Sequence, residues 1–310
     1  MHTRLLLLLG MMGCTAGTPP PPPNSPGPVF RSTGSSFAPG PLETQQRDVA
    51  EGEAGAPRPL RITAPREPGT YPVVQFHHGF LSERRTYDEL LTRLASHGFV
   101  VVAPQLYPAD GVPLGKPTAA EEARVAAEVA RWSAETAATL VGAAADPRPI
   151  GVAGHSRGGK VSWLLALNEQ LPVRALVGVD PVDGRGGPLL SAQPEALPDV
   201  TDAAPPSLDI GMERGGACAP EGDNFRHFFE RTTPPSALLV VKGHGHGDML
   251  DADANTGGLC FEGPHRDAVR TLTGGALTAF FRVHLQDDAS AATELAAPSV
   301  QPLEVTHEAR

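Results

Sequence analysis

Val152-Ala153-Gly154-His155-Ser156-Arg157-Gly158-Gly159-Lys160 decides how the rest of the chain is read. Ile150 to Ala153 is a short apolar run that reads as a strand, and a helix-like segment begins after the paired glycines. Gly154-x-Ser156-x-Gly158 at that junction is the nucleophile-elbow pattern. Its spacing has a steric reason. A serine held on so tight a turn leaves little room beside it, so small residues stand two positions away on each side. The turn lifts the hydroxyl above the sheet edge and aims backbone N–H groups at the helix start toward developing negative charge. In a glycine-rich chain the same five residues could be an ordinary turn. The context argues for the elbow: strand before, helix after, and Asp and His residues downstream.

Working outward, the flanking segments alternate between strand and helix. Pro59 to Thr63 and Tyr71 to Phe76 read as strands, the second broken by His77-His78-Gly79-Phe80. Tyr87, Leu90, Leu91 and Leu94 mark one face of a helix from about Thr86 to His97, which Gly98 stops. Phe99 to Ala103 is a nearly all-apolar strand of the kind covered on both faces in a parallel sheet. A long helix is expected from about Ala119 to Gly142, with Val125, Val129, Trp132, Thr136 and Leu140 as its buried stripe. Further strands are expected over Val173 to Val179 and Ser236 to Lys242, and a last helix over Asp267 to His284. Residues 185–235 read as a long irregular loop, a length that is usually functional. The alternation predicts a mostly parallel sheet with helices on both faces, and ligands bound beyond the carboxyl ends of its strands.

The ends of the chain read differently. Arg4 followed by Leu5 to Leu9 and Met11-Met12-Gly13-Cys14 has the form of a secretory signal over residues 1–14, too short to span a bilayer stably. Gly13-Cys14 resembles a bacterial-type lipobox, which makes Cys14 a candidate for lipidation and membrane anchoring. The other reading is an ordinary signal peptide with an incidental cysteine. Residues 15–45, with Pro19 to Pro23 at their core, read as a proline-rich linker. The folded domain is expected over 46–286, and 287–310, rich in Ala, Ser, Glu and Pro, as a disordered tail. With Cys14 set aside, Cys218 and Cys260 remain as an even pair in an oxidising compartment. A bridge would close a loop of about forty residues, for which the chain-entropy model gives roughly 4 kcal/mol. The formal charge of −10 argues against nucleic acid and against an anionic membrane surface as partners.

The candidate chemistry gathers at the predicted carboxyl ends of the strands. A serine hydroxyl is a weak nucleophile and needs a histidine base; His246 and His244 are the candidates. His155, beside Ser156, reads as a packing residue. The base needs an acid to fix its tautomer. Asp180 ends the strand after the elbow helix, and Asp183 is its rival. Asp248, Asp251 and Asp253 read as charges of a solvated loop; they lack calcium-loop spacing, so no metal or other cofactor is expected. The oxyanion donors are expected to be the N–H of Arg157 and that of Phe80, with Gly79 allowing the backbone to come close.

Six segments together resemble chlorophyllase: His78-Gly79-Phe80-Leu81, Ala95 to Leu106, Gly154-His155-Ser156-Arg157-Gly158-Gly159-Lys160, Ala175 to Gly184 with Asp180-Pro181-Val182-Asp183-Gly184, Cys218-Ala219-Pro220-Glu221-Gly222, and Gly245-His246-Gly247-Asp248-Met249-Leu250-Asp251. They stand in that family's order and cover most of residues 70–255. The resemblance implies an α/β-hydrolase fold and ester hydrolysis by a Ser-Asp-His triad. It carries over to Ser156, Asp180 and His246, which resolves both alternatives above. The expected protein is a secreted, lipid-anchored serine carboxylic-ester hydrolase acting on a lipid or small-molecule ester. Lipases, platelet-activating-factor acetylhydrolases and cutinase-like polyester hydrolases are the alternatives among enzymes, and a non-catalytic binding lipoprotein is the alternative outside them.

Overall fold

Alternate residues of the central strands feed two separate cores. Val100, Val102, Val152 and Leu176 join one apolar cluster, while Val74, Phe76, Val101, Ala153 and Val177 join another. Successive strand side chains point to opposite faces, so strands apolar throughout must be covered on both sides. The computed structural model describes residues 27–108, 117–146, 150–168, 171–184, 204–254, 256 and 258–310. Leu5 to Leu9, Cys14 and Pro19 to Pro23 lie outside the described residues.

The strands are β1 (Thr44–Val49), β2 (Leu60–Pro65), β3 (Thr70–Tyr71), β4 (Val73–His77), β5 (Val100–Pro104), β6 (Ala144–Ala145), β7 (Ile150–His155), β8 (Val173–Val179), β9 (Ser207–Arg214), β10 (Ser236–Gly245) and β11 (Val305–Ala309). Apart from the short β3–β6 pair they form one sheet in the order β1-β2-β5-β4-β7-β8-β9-β10-β11. The run from β5 to β10 is parallel; β1, β2 and β11 are antiparallel additions at the two edges. Helices α1 (Asp88–Ser96) and α6 (Arg266–Leu285) cover one face through Leu91, Leu94, Leu272 and Phe281. Helices α2 (Ala119–Trp132) and α4 (Arg157–Asn168) cover the other through Ala126, Val129, Val161 and Leu165. A π-helical turn (Ser133–Ala137) and the short α3 (Ala138–Leu140) divide the helix expected as one piece to Gly142. Two short helices, α5 (Phe225–Phe229) and α7 (Ser290–Ala296), complete the set of described α-helices.

Three expectations are corrected. The described part of 185–235 contains β9, a strand in the interior of the sheet, and α5. Pro205, Pro206, Asp209 and Gly211 hide the apolar run of β9, and parallel neighbours on both sides make it a strand. The 287–310 segment is α7 followed by β11, which pairs antiparallel with β10. Residues 27–43 of the segment read as linker pack on the domain. Phe30 lies against Tyr71 with ring centroids 5.7 Å apart, and Phe37 sits where a Cβ on Gly275 would fall. The buried Arg282 of α6 ties both ends down. Its guanidinium donates to Gly34 O, Ser36 Oγ and Asp288 Oδ2 and pairs with Glu294.

Candidate active site

Strands β4, β7, β8 and β10 end on the same edge of the sheet and deliver His77, Ser156, Asp180 and His246 there. Ser156 has φ 55°, a left-handed backbone that a non-glycine residue adopts only under constraint. The constraint is visible. Ser156 N–H donates to Val179 O at 3.0 Å, and Ser156 O accepts from Gly159 N and Val182 N. The flanking glycines are sterically required. A Cβ on Gly154 would lie 2.2 Å from Gly158 O, and one on Gly158 would lie 2.2 Å from His77 O. The strand, the elbow and the oxyanion-side loop thus touch backbone to backbone.

Asp180 is fully buried, with φ 40°. The neighbouring β9 fixes it: Asp180 N donates to Ile210 O at 2.6 Å, and Asp180 Oδ1 accepts from Met212 N at 2.9 Å. The other carboxylate oxygen, Oδ2, lies 2.6 Å from His246 Nδ1. With its Nδ1–H donating to that carboxylate, the His246 ring is oriented with Nε2 on its opposite side. The rival residues are engaged elsewhere. Asp183 meets Lys160 Nζ and His227 Nε2, each at 3.0 Å. His244 turns its two ring nitrogens to the carbonyls of Lys242 and Pro264.

Three further histidines are buried around this edge and held neutral. His78 Nε2 accepts from Leu106 N, so its Nδ1–H donates to Gly79 O at 2.9 Å; burial pushes it down to about 4. His77 Nδ1 meets Ser162 Oγ, whose proton goes to Gly158 O; burial pushes it down to about 3. His155 is packed, as expected, with its ring 4.6 Å from that of His246. Burial first, then the neighbouring His246, holds it well below the ordinary histidine range.

Gly79, which precedes Phe80, is held through both of its backbone polar groups. Its N–H donates to Tyr87 Oη at 2.9 Å, and its carbonyl accepts from Tyr107 Oη at 2.8 Å as well as from His78. The Arg157 guanidinium lies 5.9 Å from the Phe80 ring and 5.8 Å from the Tyr107 ring, and pairs with the buried Glu122. Arg157 therefore joins α4, α2 and the loop carrying Phe80. The sequence pattern does not mark Tyr107, Glu122 or His227, and it marks Tyr87 only as helix packing. A tyrosine three residues past the β5 end was the available signal for Tyr107.

Asp248 and Asp251 are buried, against the expectation of a solvated loop. Asp248 Oδ2 accepts from Gly245 N and Gly263 N, and Asp251 Oδ1 accepts from Glu89 N at the start of α1. Both organise the chain after β10, and burial pushes Asp251 up to about 6. Asp253 is exposed. Cys218 and Cys260 are joined with S–S 2.00 Å, tying the segment between β9 and α5 to the loop after His246. Among the described residues, no group of three or more His, Cys, Asp or Glu is placed to hold a metal ion. No described helix is long and apolar enough to cross a membrane.

A family profile for chlorophyllase matches residues 32–309. Chlorophyllase-2 of Arabidopsis thaliana is 34% identical over 256 residues, covering 75% of this chain and 79% of its own. Chlorophyllase-1, chloroplastic, of Citrus unshiu is 35% identical over 268 residues, covering 80% and 79%. Chlorophyllase type 0 of Chenopodium album is 34% identical over 264 residues, covering 76% and 74%. The match spans the elbow, β9 and the β11 edge strand alike, and the chain belongs to the chlorophyllase family of carboxylic-ester hydrolases on the α/β-hydrolase fold.

Proposed function

We propose that this protein hydrolyses a carboxylic ester through Ser156, His246 and Asp180, by way of an acyl-enzyme. His246 Nε2 takes the Ser156 hydroxyl proton as Oγ attacks the ester carbonyl. Asp180 holds the tautomer and stabilises the imidazolium. The N–H groups of Phe80 and Arg157 receive the developing oxyanion, each worth roughly 3–4 kcal/mol. His246 then protonates the leaving alcohol, and a water activated by the same ring releases the acid. No metal or organic cofactor enters this cycle.

The observation that carries the reading is the 2.6 Å contact between His246 Nδ1 and Asp180 Oδ2, beside a serine on a left-handed elbow. The substrate we favour is a chlorophyll-type ester, on the strength of the likeness to the chlorophyllases of Arabidopsis thaliana and Citrus unshiu. The protein works outside the cytoplasm, anchored through a lipidated Cys14, on the strength of the Arg4-to-Cys14 pattern.

The test is hydrolysis of a short p-nitrophenyl ester by the wild type and Ser156→Ala, with fluorophosphonate labelling alongside. Activity and labelling lost together in the variant support the reading. An unlabelled wild-type protein with no activity on any ester of a chain-length series, chlorophyll included, overturns it.

A further inference from the structure

Tyr87 and His155 form a hydrogen-bonded bridge that joins three separate loops of the site. Gly79 N–H donates to Tyr87 Oη at 2.9 Å. Tyr87 Oη lies 2.9 Å from His155 Nδ1, and His155 Nε2 lies 3.0 Å from His246 O. The protons can be assigned. A backbone carbonyl only accepts, so His155 Nε2 carries the hydrogen. Burial keeps the ring neutral, so Nδ1 is bare and accepts the Tyr87 O–H. The phenol oxygen then accepts from Gly79. Each of these donors and acceptors is used once, in one direction: Gly79 to Tyr87 to His155 to His246.

The bridge is fully enclosed. Tyr87 is 0% and His155 3% exposed, so an unmade bond here is not replaced freely by water. Packing fixes both rings. Tyr87 lies 4.9 Å from Phe76 of β4, and His155 lies 4.6 Å from His246. One end of the bridge holds the His78–Gly79 peptide, one peptide before the one that carries the Phe80 N–H. The other holds the backbone of the residue that bears the base.

We infer that Tyr87 and His155 are positioning residues for ester hydrolysis, holding the oxyanion-side loop and the His246 loop at a fixed distance from the Ser156 elbow. The inference rests on the Ser156–His246–Asp180 reading. It differs from mere packing in one respect: the hydroxyl and the ring N–H should govern turnover more than folding or binding.

The experiment compares Tyr87→Phe, His155→Gln and His155→Leu with the wild type on one p-nitrophenyl ester, reading kcat, KM and melting temperature. Tyr71→Phe is the control. It deletes another largely buried tyrosine hydroxyl, one that donates to Glu67 O away from this edge. Tyr87→Phe should lower kcat by between about tenfold and a hundredfold at a KM within about twofold, while Tyr71→Phe keeps kcat. His155→Gln retains an N–H able to reach the His246 carbonyl, so it should keep more kcat than His155→Leu. Selective 15N labelling of histidine should show His155 as the neutral Nε2–H form at neutral pH, with Nδ1 shifted in Tyr87→Phe. Wild-type kcat in Tyr87→Phe and His155→Leu, or equal kcat losses in Tyr87→Phe and Tyr71→Phe, would overturn the inference. If the His155 variants fail to fold, the Tyr87 comparison and the wild-type spectrum decide it alone. Ser156→Ala separates the two levels: activity retained there sinks the triad reading, whereas activity lost there with unaffected Tyr87→Phe sinks only the bridge.

Discussion

Asp180 Oδ2 lies 2.6 Å from His246 Nδ1, while the other oxygen of the same carboxylate accepts the Met212 N–H at 2.9 Å. One carboxylate thus orients the histidine and is itself oriented by β9. Asp180→Asn should leave the fold intact and present the wrong hydrogen to His246, lowering kcat on the order of 10⁴-fold. Steady-state kinetics on a p-nitrophenyl ester checks this. A loss under tenfold would transfer the role to another acid, with Asp183 first in line.

Gly158→Ala should be among the most damaging single-methyl additions in the chain. Its Cβ would fall 2.2 Å from His77 O and 2.5 Å from His78 O, both backbone atoms that cannot rotate away. Overpacking of this kind costs about 1–3 kcal/mol and occasionally more. A urea unfolding midpoint equal to that of the wild type would contradict the steric account.

The Arg157–Glu122 pair is buried, with side-chain exposures of 8% and 2%. Glu122→Gln leaves the guanidinium buried without its counter-charge, which should cost about 3–5 kcal/mol. It should also lower kcat, because Arg157 supplies a proposed oxyanion donor. Chemical denaturation and kinetics on the same sample test both parts. Stability unchanged within 1 kcal/mol would show that water or another acceptor takes over the arginine.

Asp209 on β9 is fully buried, and burial pushes its carboxyl well above the ordinary range, with the neighbouring Trp163 acting in the other direction. The sign follows. An acid whose folded pKa is raised contributes stability fully present below its unfolded value near 3.8, and loses it as pH rises through the folded value. Asp209→Asn carries no such dependence. The stability of the variant relative to the wild type should therefore climb from about pH 4 upward, by up to about 1.4 kcal/mol per pH unit. Urea titrations across that range would refute this if the difference stayed flat.

β11 covers the edge of β10 through five paired positions, Ala237 to Val241 against Ala309 to Val305. Deleting 304–310 bares a parallel-sheet edge of Leu238, Leu239, Val240 and Val241. Such an edge is a template for association. The truncated protein should melt lower and form oligomers on size-exclusion chromatography. A monomer with the wild-type melting temperature would show that β11 is ornamental.

The sequence by itself determined the elbow, the parallel strands around it and the composition of the site edge. Runs such as Phe99 to Ala103 are buried on both faces, so their pattern is intrinsic to the residues. The glycines at 154 and 158 announce a close approach, and in the structure a Cβ there would run into Gly158 O and His77 O. Only the tertiary structure decided the rest. β9 carries Asp209 and Gly211 between strands that supply its hydrogen bonds, and β11 is a mostly exposed segment that becomes a strand by pairing with β10. Asp248 and Asp251 look like loop charges until the backbone N–H groups of Gly245, Gly263 and Glu89 converge on them. Periodicity records which side chains must leave water. It does not record which distant backbone will arrive to pair with a polar one, because that depends on chain segments far apart in sequence meeting at one edge of the sheet.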